Sequence, residues 1–185
     1  MNKLKVVSGT IAFVFLCFGL VLISSCKKKA VKYNDTTNVR PCENVICLNG
    51  GSCSDGYCQC PTGYEGLKCE KKWSDKFLGT YITSDECYTG PNGFYDVTIV
   101  ADQSQTTKII FYNLGTTCSS SPIEAVINPE RTSFIFPMQN ACGNNYISGY
   151  GNINTNGNYI NVYLKSRDSA NHTSLNCSMI LNKKP

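Results

Sequence analysis

The chain has 185 residues, 42% of them hydrophobic and 16% charged, with a formal net charge of +4. That apolar share is enough for a packed core and excludes a wholly disordered chain. From Trp73 onward seven Lys/Arg stand against eight Asp/Glu, so the region lacks the basic stripe of a nucleic-acid interface, and no nucleic-acid partner is expected.

Residues 1–25 read as a leader. Lys3 and Lys5 make a positive start, and Val6 to Ile23 is a mostly apolar run. The run ends in Ile23-Ser24-Ser25-Cys26, which resembles a bacterial lipobox. The resemblance implies cleavage before Cys26, lipidation of Cys26, and a membrane partner through that N-terminal lipid. Lys27-Lys28-Lys29 resembles the start of mature lipoproteins of the Bacteroidetes group. The alternative is an uncleaved transmembrane helix. Two lysines before the run and three after it would then leave the cysteine-rich part in the cytoplasm, where disulfides do not persist. The expected location is therefore the bacterial cell envelope, with the periplasmic face and the cell surface both open. Residues 26–41 are polar and read as a lipidated tether. Within it Asp35-Thr36-Thr37 resembles an O-glycosylation signal of the same bacterial group, which makes Thr36 a candidate modified residue. Asp168-Ser169-Ala170 resembles that signal too.

Residues 42–69 carry six cysteines spaced Cys-x4-Cys-x5-Cys-x4-Cys-x-Cys-x8-Cys. A segment of 28 residues cannot bury enough apolar surface to fold by core packing alone, so disulfides must restrict its unfolded chain. Spacing by itself leaves the connectivity open. A zinc site is the rival reading, but zinc favours CxxC knuckles and the leader points to an oxidising compartment. With Asn49-Gly50-Gly51 before the third cysteine and Pro61-x-Gly63-Tyr64-x-Gly66 before the sixth, the stretch closely resembles an EGF-like module. The resemblance implies the pairs Cys42–Cys53, Cys47–Cys58 and Cys60–Cys69, and a spacer or contact role. Glu70-Lys71-Lys72 follows as a brief charged hinge.

Residues 73–185 lack helical periodicity. Short apolar or alternating runs recur between Gly, Asn, Ser, Asp and Pro clusters. Strands are predicted at 77–83, 94–101, 107–114, 123–128, 133–137, 146–153, 158–165 and 174–181. Tyr159, Asn161, Tyr163 and Lys165 should line one face, with Ile160, Val162 and Leu164 on the other. Asn156-Gly157 signals a hairpin turn. The expected fold is thus all-β: the small stapled module, then an antiparallel eight-stranded barrel, with a β-sandwich as the alternative. The opening Phe77-Leu78-Gly79-Thr80-Tyr81 faintly resembles the Gly-x-Trp start of lipocalin-type barrels, with Tyr81 in place of Trp. In that family a basic residue near the last strand packs over the aromatic ring, and Lys183 is the candidate here.

The remaining cysteines outside leader, anchor and module are Cys87, Cys118, Cys142 and Cys177, an even number that suggests two more disulfides. Barrel closure makes the first and last strands neighbours, so Cys87–Cys177 is expected, and with it Cys118–Cys142.

Candidate catalytic groups are sparse, no catalytic residue is assigned, and an enzyme is not expected. His172 is the single histidine, and with Asp168 and Ser169 it could be drawn as a triad, yet no nucleophile-elbow pattern is present. Asp85-Glu86 reads as an exposed strand end, and Gly149-Tyr150-Gly151 sits in a strand rather than before a helix, so it is no phosphate loop. Calcium is disfavoured because Val39-Arg40-Pro41 supplies no carboxylate before Cys42, and Asp55 reads as the turn residue of Ser54-Asp55-Gly56. No metal site and no cofactor are expected. Tyr81, Tyr88, Phe94, Tyr95, Tyr112, Tyr146, Tyr150, Tyr159 and Tyr163 crowd the second region. Most are accounted for as ordinary strand composition, although tyrosines of this kind also suit protein or glycan recognition. The expected function is a non-enzymatic, lipid-anchored envelope protein whose β-domain binds a protein or glycan. The alternative is a lipocalin-like carrier of a small hydrophobic ligand.

Overall fold

The structure, a computed structural model, describes residues 41–84, 94–115 and 121–185. In the module, β1 (Ser52–Ser54) and β2 (Tyr57–Gln59) form a hairpin across the turn Asp55-Gly56. Both turn residues have positive φ, 52° and 85°, the conformation that a tight two-residue hairpin requires. The pairs Cys42–Cys53, Cys47–Cys58 and Cys60–Cys69 are all formed. A second short ladder joins β3 (Tyr64–Glu65) to β4 (Lys71–Lys72). The charged stretch expected as a hinge is therefore strand-paired at Lys71–Lys72.

A 3-10 turn, Trp73–Lys76, leads into the barrel. Its start is fixed by the Lys72 backbone N–H, which donates to Asp75 Oδ2 at 2.9 Å. Then come β5 (Gly79–Ser84), β6 (Phe94–Ala101), β7 (Lys108–Tyr112), β8 (Ile123–Ile127), β9 (Ser133–Cys142), β10 (Asn145–Ile153), β11 (Tyr159–Asp168) and β12 (Thr173–Lys183). From β6 onward each pairs antiparallel with its predecessor, and β12 returns to β5 through Asn182↔Ile82 and Lys183↔Tyr81. The barrel is closed; the sandwich alternative is not the fold.

The expected alternation holds on β11, where Ile160, Val162 and Leu164 are buried and Tyr159 and Lys165 are exposed. Inward side chains from all eight strands fill the barrel, including Val97, Ile99, Ile109, Ile123, Phe134 and Leu181. Phe111, Phe134 and Phe136 meet one another with centroids 5.0–5.3 Å apart, and Phe77 meets Phe134 edge-on at 5.5 Å. Burying each such side chain is worth ~1.5–3 kcal/mol, so the four rings contribute substantially to the barrel's stability.

Side-chain contacts accompany closure. Lys183 Nζ lies 5.8 Å from the centroid of the Tyr81 ring, the contact that the lipocalin-like start implied. The Tyr81 hydroxyl donates to the Phe77 carbonyl at 2.8 Å, and burial pushes its phenol up to about 12. One ring thus ties the first strand to the last and to the segment that enters the barrel.

Most strand ends fall within three residues of expectation, and β9 departs furthest. β9 was expected to stop at Pro137 but continues to Cys142. Ile147 faces Gln139 and Gly149 faces Phe136, so Pro137 and Met138 together oppose Ser148 in a bulge. A bulge is one of the few places where a strand admits proline. Beside it the Gln139 carboxamide stands in for backbone: Glu124 N–H donates to its Oε1 at 2.9 Å, and its Nε2 donates to the Glu124 carbonyl at 2.7 Å. The β10–β11 turn is a hairpin, but Gly157 alone has positive φ, and the Asn154 side chain closes the loop by accepting from Asn158 and Tyr159 N–H.

Candidate functional site

Strand alternation that buries the core also sets the outer face. On β10 and β11 the outward residues pair as Tyr150↔Tyr163 and Asn152↔Asn161, and the two rows lie about 7 Å apart along the strands. The tyrosine rings stack with centroids 5.3 Å apart and planes inclined by 29°. Directly opposed residues of an antiparallel pair are side-chain neighbours, which brings the two rings together. Two glycines flank Tyr150: a Cβ on Gly149 would overlap the Tyr163 carbonyl, and one on Gly151 would overlap the Phe134 ring.

This stack lines a groove of ≈ 750 Å³ on the outside of the barrel. The groove runs over β10, β11 and β12 to the β12–β5 seam, where Ile82, Phe94 and Ile180 join its lining. Phe94 is 71% exposed, Tyr150 57% and Ile180 52%, a concentration of apolar surface that folding leaves in water. Polar groups are supplied by Asn152, Asn161, Asn182 and Ser178. No Asp, Glu, Lys, Arg or His contributes to the lining among the described residues.

A second cleft of ≈ 360 Å³ lies where the module meets the barrel, and its charged groups are already engaged. Glu65 accepts from Lys76 Nζ at 3.0 Å and from Arg131 Nη1 at 3.3 Å. Partial burial pushes the Glu65 carboxyl up, but the hydrogen bonds and charges of Lys76 and Arg131 outweigh it and leave it below its ordinary value. The Arg131 guanidinium also lies 5.3 Å from the centroid of the Trp73 ring, and the Trp73 indole N–H donates to the Tyr64 carbonyl at 3.0 Å. Gly63, at φ 95°, packs so closely on Thr106 that a Cβ there would overlap its side chain. This cleft is a structural joint.

The other sequence candidates fall as follows. Cys26, Thr36, Asp85, Glu86, Cys87, Tyr88 and Cys118 lie outside the described residues. Cys142 and Cys177 are each disulfide-bonded, and the expected pairing with Cys118 and Cys87 lies outside the described residues as well. Asp168, Ser169 and His172 share one exposed hairpin turn. Asp168 accepts from the N–H groups of Ala170 and Asn171 and from the Asn171 carboxamide, which hold its carboxyl below the usual range. The Ser169 hydroxyl donates to the Asn144 carbonyl at 3.1 Å. These bonds make a turn, with Asp168 and Ser169 aimed at backbone and amide partners. The aromatics divide: Tyr81 is core, Tyr150 and Tyr163 form the stack, Phe94 is in the groove, and Tyr112 is 43% exposed outside it. The tyrosines are visible in the sequence but their meeting is not: Asn156-Gly157 marks a hairpin without giving the loop length that sets which residues face each other across it.

No protein-family model matches the chain. Over 66 residues, 30% of this chain and 6% of the relative, it is 39% identical to pikachurin of Homo sapiens. It is 42% identical over 55 residues, 24% of this chain and 6% of the relative, to pikachurin of Rattus norvegicus. To the neurogenic locus notch homolog protein of Giardia intestinalis it is 36% identical over 70 residues, 35% of this chain and 10% of the relative. The chain spans a tenth or less of the length of these relatives. The likeness to these proteins and the three disulfides agree on an EGF-like module.

Proposed function

We propose that this chain is a non-enzymatic protein of a bacterial cell envelope, lipid-anchored at Cys26, that binds a protein or glycan on the outer face of its barrel. The observation that carries the reading is the Tyr150–Tyr163 stack in a groove where Phe94 and Ile180 stay exposed. Exposed aromatic and aliphatic side chains beside unpaired polar ones are the usual composition of a recognition patch. The EGF-like module serves as spacer and contact element. The Glu65 ion pairs and the Trp73 packing favour a fixed presentation of the barrel over a swinging one.

An enclosed-ligand carrier is the weaker reading. A barrel of eight strands either fills with its own side chains or holds one small molecule. Here Phe77, Phe111, Phe134 and Phe136 occupy the interior. Two experiments test the proposal. The full chain, solubilised from membranes, is used to capture envelope proteins and glycans, with a Tyr150→Ala/Tyr163→Ala variant alongside. Loss of the captured material in the variant is expected; capture that ignores both tyrosines contradicts the reading. For the anchor, metabolic labelling with an alkyne fatty acid should mark the wild type and fail in Cys26→Ala, and equal labelling of both would overturn it.

A further inference from the structure

We infer that the outer groove binds a neutral carbohydrate, a short oligosaccharide lying across the Tyr150 ring and the row of asparagines. The inference rests on the groove being a binding surface. Its lining is uncharged among the described residues, so nothing in it would compensate the desolvation of an anionic or cationic ligand. What it offers instead is an aromatic face beside carboxamides. The C–H face of a pyranose is apolar and lies flat on such a ring, while its hydroxyl groups both donate and accept. A carboxamide is the side chain that also does both, through its N–H groups and its oxygen.

The register supplies the spacing. Asn152 and Asn161 face each other across β10 and β11, one outward row from the Tyr150↔Tyr163 pair, and Asn182 lies on β12 on the same surface. No protein group pairs with these three carboxamides among the described residues. A ring stacked on Tyr150 would therefore hold its hydroxyl edge over amides that no other protein group engages, in place of their water. The stack on Tyr163 fixes the orientation of Tyr150 before any ligand arrives, which lowers the ordering cost of binding. Size points the same way. A groove of ≈ 750 Å³ is on the scale of a small-ligand site.

The test is binding of the full chain, solubilised from membranes, to an array carrying neutral and acidic glycans. Neutral glycans should be bound, with little change on adding salt. Tyr150→Ala and Asn161→Ala should each lower apparent affinity by about tenfold. Tyr150→Phe, which keeps the ring, should retain most of it and controls for folding. Binding confined to acidic glycans, binding unaffected by Tyr150→Ala, or no neutral glycan bound would each overturn the inference. A protein partner lost in Tyr150→Ala/Tyr163→Ala, with no neutral glycan bound, removes the carbohydrate and leaves the groove standing. If neither kind of ligand depends on the tyrosines, both readings fall.

Discussion

Between Cys42 and Cys69 three disulfides hold strands of only two or three residues, whereas the barrel's strands run from five to eleven residues around a core of phenylalanine and isoleucine. The module buries little: Ile46, Tyr57 and Leu67 are 71%, 74% and 89% exposed. Its order comes from covalent restriction of the unfolded chain, and the barrel's from apolar burial. The two meet at Glu65, which the module supplies and which Lys76 and Arg131 of the barrel side bind. Each region can therefore be perturbed while the other reports.

The largest effect should follow Phe134→Ala. That ring contacts Phe77, Phe111 and Phe136, and its loss should cost about 3–5 kcal/mol in urea unfolding of the barrel. Replacing Cys47 and Cys58 together by Ser should cost about 2–5 kcal/mol, confined to the module. Amide exchange would then quicken across residues 42–69 while β10 and β11 stay protected. Equal loss of protection in both regions would break the comparison. Gly149→Ala forces a Cβ onto the Tyr163 carbonyl and should destabilise by about 1–3 kcal/mol. It should also separate the tyrosine rings, which aromatic ring-current shifts would detect.

The smallest effect lies at the joint. Glu65 is held below its ordinary value when folded, so its contribution is present above the unfolded carboxyl pKa and is lost as pH falls through the folded one. Partly exposed ion pairs are worth about 1 kcal/mol or less each. Glu65→Gln should therefore lower stability by about that much at neutral pH and converge with wild type under acid. A constant gap down through the acid range would show that Glu65 acts through packing instead of charge.

Much of the fold was legible because its causes are local. Cysteine spacing marked the module, and period-2 alternation marked the strands, including 94–101 with its observed bounds. The Lys183–Tyr81 contact was legible through a family likeness at Gly79-Thr80-Tyr81. What stayed hidden depends on register or on distant partners. Pro137 reads as a strand end until the bulge opposite Ser148 is known. Arg131 and Glu65 are 66 residues apart and carry no mark of their pairing. Tyr150 and Tyr163 look like ordinary strand tyrosines until the register of β10 on β11 sets them opposite each other.

Photo-crosslinking in living cells asks whether the proposed binding takes place on the outside of the barrel, at the tyrosine stack. A benzophenone amino acid placed at Tyr163, and separately at Tyr150, is compared with one at Tyr112, which is exposed but outside the groove. A shifted adduct is expected from positions 163 and 150 and none from 112. Adducts of equal yield at all three positions, or none from 163 and 150, would contradict it.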